Sequence, residues 1–171
     1  MNLTEISPAE LTGNVFDRIS RQWMLVAAGD EEKFNFLTAS WGQLGMLWFQ
    51  PTATIYLRQS RYTKEFVDRE ERFTLTFLRE GNREALTAAG SLSGRDHPDK
   101  AAACGLTPCF VDGCPTFEQA DVVLICRKLY VQQLDPQKLL DEQARRRAYD
   151  ADPEEHTMYI AQIERIYVNQ P

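Results

Sequence analysis

Concentrated positive charge is what this 171-residue sequence lacks most. Its 19 Lys and Arg are outnumbered by 25 Asp and Glu, for a formal net charge of −6. Gripping a nucleic-acid backbone takes clustered cations. No nucleic-acid partner is therefore expected, and the few local arginines suit one small anion. No apolar run approaches the roughly 20 residues of a membrane-spanning helix, so no membrane partner is expected either. The opening MNLTEISPAEL has neither the basic nor the apolar region of a secretory signal, and a cytoplasmic location is expected. Histidine is scarce, with two residues. Gly-x-Gly-x-x-Gly, Gly-x-Ser-x-Gly and His-Glu-x-x-His are all missing, and with them the usual signs of a dinucleotide fold, a hydrolase elbow and a zinc protease.

Cysteine is present but poorly placed for metal. Three of the four, Cys104, Cys109 and Cys114, lie in CGLTPCFVDGC with four residues between neighbours. That is not a zinc spacing, and no histidine follows at a useful interval. No metal is expected, and the thiols read as free groups around a turn. A thiol redox or metal-binding protein using these three remains an alternative function.

Of what is present, strand-like stretches dominate. WMLVAAG and FNFLTAS read as strands joined by the polar turn DEEK, and TATIYLR, RFTLTFL, ADVVLICRKLYVQQL and HTMYIAQIERIYV as further strands. Asp112-Gly113 marks a hairpin. Ser7, Pro8 and Glu10 suit the start of a short helix. YTKEFVDREE, NREALTAAG up to Gly90, a stretch from Pro98 or Asp99, and PQKLLDEQARRRAY read as helical. WGQLGMLWFQP reads as irregular, because its two glycines and closing proline suit neither period. Six or seven antiparallel strands with short helices between them predict a mainly β fold, a small barrel with helical insertions. No linker divides the chain, so one domain over residues 1–171 is expected.

The densest cluster of hydrogen-bond donors is TIYLRQSRYTKEF. A strand is expected to end at Arg58 and a helix to begin near Thr63. The first helical turn has unpaired N–H groups and the positive end of the peptide dipoles. Ser60 and Thr63 add hydroxyls, and Arg58 and Arg61 add forked cations, a good receiver for a phosphate monoester. Glu65, in the same turn, opposes this unless it points away. A plain helix cap with solvated arginines is the other reading.

Five stretches in order, NFLTASWGQLGMLWFQP, RQSRYTKEF, GSLSGRDHPDK, RKLYVQQLDP and HTMYIAQI, resemble the flavin reductase family, whose members share the FMN-binding split β-barrel. The likeness runs from about Trp23 to Val168. It implies FMN as cofactor, NAD(P)H as electron donor, and a homodimer with FMN at or near the subunit interface. By matching position, Asn35, Thr38, Ala39, Ser40 and Trp41 would line the isoalloxazine. Arg58, Ser60, Arg61, Tyr62 and Thr63 would hold the phosphate and ribityl chain. Gln59 stands where the family more often has proline, which loosens the backbone before the helix. Ser91, Ser93, Arg95 and Lys100 would reach the cofactor, or else belong to a loop in which Asp96 caps the next helix. His156 matches a family histidine near the flavin and is the candidate catalytic residue, able to exchange a proton near neutral pH; a structural histidine bonding a carbonyl is its alternative. Trp48 is expected in the core, His97 in solvent, and QARRRAY on a solvated helix face. The expected function is an NAD(P)H-dependent oxidoreductase that passes hydride to bound FMN and on to an acceptor. The nearest alternative is an FMN-binding electron carrier without NAD(P)H turnover.

Overall fold

A computed structural model describes residues 2–170. Met1 and Pro171, the two ends of the expected domain, lie outside the described residues. The chain begins with β1 (Leu3–Ile6) and a 3₁₀ turn, Pro8–Glu10, where the Glu10 carboxylate accepts from the Ser7 N–H at 2.8 Å. This is one half of a capping box; the Glu10 N–H bonds the Ser7 carbonyl instead of its hydroxyl. Helix α1 (Val15–Asp17) is capped by Asn14, whose Oδ1 accepts from the Phe16 N–H at 2.9 Å, and it runs on into a π-turn, Arg18–Gln22.

Strands β2 (Met24–Gly29) and β3 (Phe34–Ala39) form a hairpin. Its turn is built by Asp30, whose carboxylate accepts from the N–H groups of Glu32 and Lys33. After Ser40 and Trp41 come β4 (Gly42–Leu47) and β5 (Gln50–Arg58), then α2 (Tyr62–Arg69), β6 (Arg72–Leu78) and α3 (Arg83–Ser91). A short α4 (Lys100–Ala103) leads to the small hairpin β7 (Pro108–Val111) and β8 (Cys114–Phe117). It turns at Asp112 and Gly113, which have φ of 52° and 75°. The long strands β9 (Ala120–Gln133) and β10 (His156–Asn169) flank a 3₁₀ turn, Pro136–Lys138, and α5 (Glu142–Tyr149).

All pairings are antiparallel. The main sheet runs β3-β2-β6-β9-β10-β5-β4, with β1 also paired to β10. Its two edge strands, β3 and β4, are consecutive in the chain and separated by only Ser40 and Trp41. The sheet thus curls into a barrel that stays open along one seam. Alternation fills the interior, because successive residues of a strand face opposite ways. Ala53, Ile55 and Leu57 of β5, Leu37 and Ala39 of β3, and Tyr159, Ala161 and Ile163 of β10 share one buried cluster. A second cluster, with Phe36, Leu86, Ala89 and Phe117, lies under α3. The first joins the sheet into one body, and the second docks α3 beside the seam.

Three expectations are corrected. Ten strands are formed among the described residues, not six or seven. The stretch read as irregular holds β4: as an edge strand it buries little, so its side chains show no apolar alternation to read. Its turn uses Trp48 and Phe49, both with left-handed φ (51° and 63°), where glycine or asparagine is the usual signal. Trp48 is accordingly not in the core, with 51% exposure.

Candidate functional site

The barrel's open seam and the helices beside it enclose two adjoining cavities, of about 340 and 120 Å³. Leu37 and Arg61 line both. The larger cavity is floored by Thr38, Ala39, Ser40 and Trp41 at the β3–β4 connection. Tyr56 and Arg58 at the end of β5, Gly90 at the end of α3 and His156 at the start of β10 complete it. The smaller is polar and lies over the start of α2, with Ser60, Arg61, Tyr62 and Thr63 on one side and Ser91, Ser93, Gly94 and Lys100 on the other. Asn35 lines it too, and its Nδ2 donates to Thr63 Oγ1 at 3.1 Å.

Fourteen of the fifteen candidate residues line one cavity or the other. Arg95 lines neither: its guanidinium lies 4.8 Å from the Tyr62 ring centroid and pairs with Glu65. Glu65, so paired, lines neither cavity. The N-cap position of α4 is Asp99, not Asp96, and its side chain makes no capping bond. His97 is exposed.

The cations of the smaller cavity are crowded. Arg61 Nη2 donates to the Gly90 carbonyl at 2.7 Å. Burial and the charge of Arg58 push the Arg61 guanidinium down from its usual pKa, with Glu154 opposing. Lys100 is 4% exposed. Its Nζ donates to the Phe36 carbonyl at 2.6 Å and lies 4.7 Å from the centre of the Phe36 ring. Burial, with a smaller push from Arg61 and a counter-pull from Cys104, brings it down to about 8. Cations that destabilise one another at the mouth of a helix are relieved by an anion between them.

His156 is held from two sides. Its ring lies 4.9 Å from Trp41 at a 30° tilt and 5.7 Å from Tyr149, edge-on. Arg58 Nε donates to its Nε2 at 3.4 Å. Burial, then Arg58, pushes the imidazole below its usual pKa, with Glu154 opposing. A neutral ring that accepts at Nε2 carries its proton on Nδ1. That atom is buried and has no partner among the described residues. A buried donor without an acceptor is costly.

Several lining residues escaped sequence reading: Leu37, Tyr56, Leu57, Gly90, Leu92 and Gly94. Tyr56 was in principle readable, since strand alternation places it with Arg58 and opposite Ile55 and Leu57. A Cβ on Gly94 would collide with Asn35 Oδ1, which no local pattern announces. Two acids on the corner were also missed. Asp152 pairs with Arg58, and the Glu154 carboxylate accepts from both the N–H and the hydroxyl of Ser60.

The thiols lie elsewhere. Cys104 and Cys114 are buried and Cys109 half-buried. Burial raises all three above the usual thiol range. Register pairs Cys109 with Thr116 and Cys114 with Val111, so the two hairpin thiols do not face each other. Among the described residues no group of three or more His, Cys, Asp or Glu is placed to hold a metal ion.

Solved structures with this fold span most of the chain. An FMN-binding domain of a flavin reductases-like enzyme from Shewanella baltica is 18% identical, with a TM-score of 0.69 over 98% of this chain and 77% of that one. Flavoredoxin of Desulfovibrio vulgaris is 20% identical, with a TM-score of 0.66 over 86% and 69%. The styrene monooxygenase flavin reductase from Pseudomonas putida is 17% identical, with a TM-score of 0.63 over 87% and 80%. No functionally curated protein matches significantly. The family model described as "Flavin reductase like domain" matches residues 16–171, and the chain belongs to that family.

Proposed function

We propose that this chain, acting as one domain, is an FMN-dependent oxidoreductase that takes hydride from NAD(P)H and hands the electrons on to an acceptor. The observation that carries the reading is the adjacency of the two cavities, which share Leu37 and Arg61 as a border. One is walled by Trp41 and lined by strand backbone and small hydroxyls, as a flat ring edged with carbonyls and nitrogens requires. The other gathers hydroxyls and cations at a helix start, as a phosphate requires. The strain on Arg61 and Lys100, each pushed down by burial and a neighbouring cation, is a need that such a ligand meets.

FMN supplies the two-electron chemistry when bound. The chain's own residues bind, orient and stabilise. Ser60, Arg61, Tyr62, Thr63 and Lys100 anchor the phosphate, with Ser91 and Ser93 alongside and Arg58 reaching it from the ring-side cavity. Asn35 holds Thr63 in place for it. Thr38, Ala39 and Ser40 offer the ring backbone and hydroxyl contacts, although the Thr38 hydroxyl itself donates to the Leu86 carbonyl at 2.6 Å. His156, beside Trp41, forms part of the wall of the ring site. Arg95 acts at one remove, by covering Tyr62 and pairing with Glu65.

We read the active form as a cytoplasmic homodimer. Met46, Leu47, Trp48 and Phe49 at the β4–β5 hairpin, with Tyr130 and Val131, form an exposed apolar group. Such a patch marks an interaction surface, and it adjoins the strand that floors the cleft.

Anaerobic stopped-flow mixing of the FMN-loaded protein with NADH or NADPH tests the reading. Rapid loss of the oxidised flavin absorbance is expected with at least one of the two. Stable absorbance with both would leave an FMN-binding electron carrier.

A further inference from the structure

Two donors of the phosphate corner are committed to the chain's own carboxylates. Arg58 pairs with Asp152, and the Glu154 carboxylate takes both the Ser60 N–H and, at 2.7 Å, the Ser60 hydroxyl. The acids lie 94 residues along the chain from their partners. They come from the segment between the end of α5 and the start of β10, whose position is fixed at both ends. Tyr149 is buried against His156, and His156 is in register with Arg58. The intervening sequence, Asp152-Pro153-Glu154, is suited to the task. Proline biases the residue before it towards extended backbone, and in an extended segment residues i and i+2 point the same way. Both carboxylates therefore reach one corner together. The Asp152 carboxylate also accepts from the Glu154 N–H at 3.3 Å, which ties the two. Two acids here present a surrogate for a phosphate, with the same charge sign and the same donors.

Resting on the FMN reading above, we propose that Asp152 and Glu154 are specificity-determining residues: they engage Arg58 and Ser60 as an internal anion, so FMN binds by exchange with them. Phosphate entering the corner must displace both carboxylates from Arg58 and Ser60. Affinity is then reduced by the fraction of molecules whose corner is free. The reduction applies only to a flavin that carries a phosphate. Riboflavin, which has the same ring and chain without it, does not compete for those donors.

The test measures dissociation constants for FMN and riboflavin, by quenching of flavin fluorescence, on the full-length protein and its Asp152→Asn/Glu154→Gln variant. The variant is expected to bind FMN about tenfold or more tightly, with riboflavin changed by less than about twofold. Asp150→Asn removes the same charge from the same segment at a residue that faces Arg145, 3.8 Å away. It should leave both constants unchanged. FMN affinity that is unchanged or weaker in the double variant overturns the proposal, as does equal tightening for both flavins or equal tightening by Asp150→Asn. Should the double variant not fold, Glu154→Gln alone carries the same expectation at smaller size. If neither flavin binds the parent or the variant, the FMN reading falls as well. FMN bound equally well by both removes the present proposal alone.

Discussion

At the scale of the residue, Lys100 shows what the proposed phosphate site costs the fold. It is an ammonium with 4% exposure, held by one carbonyl and an aromatic face, and no carboxylate pairs with it among the described residues. Its folded pKa of about 8 lies below the roughly 10.4 of an unfolded lysine. Below about pH 8 both states hold the proton and the folded state bears the full penalty. Between that value and about 10.4 the unfolded chain holds a proton that the folded chain has shed, so stability rises with pH. Lys100→Met should raise stability at pH 7 by about 1–2 kcal/mol, the desolvation relieved less the bond lost to Phe36. It should also abolish the alkaline rise. Urea unfolding at pH 7 and pH 9.5 reads both effects, and a variant less stable at pH 7 would refute the account of Lys100 as a strained anion ligand. The identity of this lysine was legible only through its family position. Its burial was not, because it opens a four-residue helix whose neighbours are small and alternate with no clear period.

Among the elements, the β4–β5 turn is the clearest departure from economy. A left-handed conformation costs a residue with a side chain roughly 1–2 kcal/mol relative to glycine, and here two bulky aromatics, Trp48 and Phe49, both adopt it. They are exposed as well, Phe49 fully. A turn so built is poor for the isolated chain and makes sense if a partner covers it. The strand it closes was invisible in sequence for a related reason: an edge strand with most side chains outside offers no buried alternation, and its glycines resemble a loop. The corner from Arg58 to Thr63 was legible because a change from period 2 to period 3.6 happens within a few residues and the donors stand at the change. Its counterweight, Asp152 and Glu154, was not. Nothing in a loop's composition says which distant corner it will cross.

For the whole molecule, the acidic balance and the absence of a long apolar run narrowed the expected partners, and the prevalence of strand-like stretches pointed to the mainly β fold. The order of strands and the seam between β3 and β4 could not be read, since they depend on pairings between segments far apart in the chain. The seam matters most, for the β3–β4 connection there sets Trp41 beside Arg58 and His156, which the β5–β10 register pairs. The apolar tip of β4–β5 predicts association: the protein should sediment as a dimer, and Trp48→Asn/Phe49→Gly should shift it to monomer while relieving the turn. A monomeric parent, or a variant that remains dimeric, would remove this tip as the interface.

The central claim is that a flavin phosphate is anchored where β5 gives way to α2. The most direct measurement is the FMN dissociation constant of Arg61→Ala beside that of the parent, with riboflavin as the ligand that lacks the anchor. The account predicts a loss of about 1.5–3 kcal/mol for FMN, roughly 10- to 150-fold, and little change for riboflavin. Equal FMN affinity in the two proteins would contradict it.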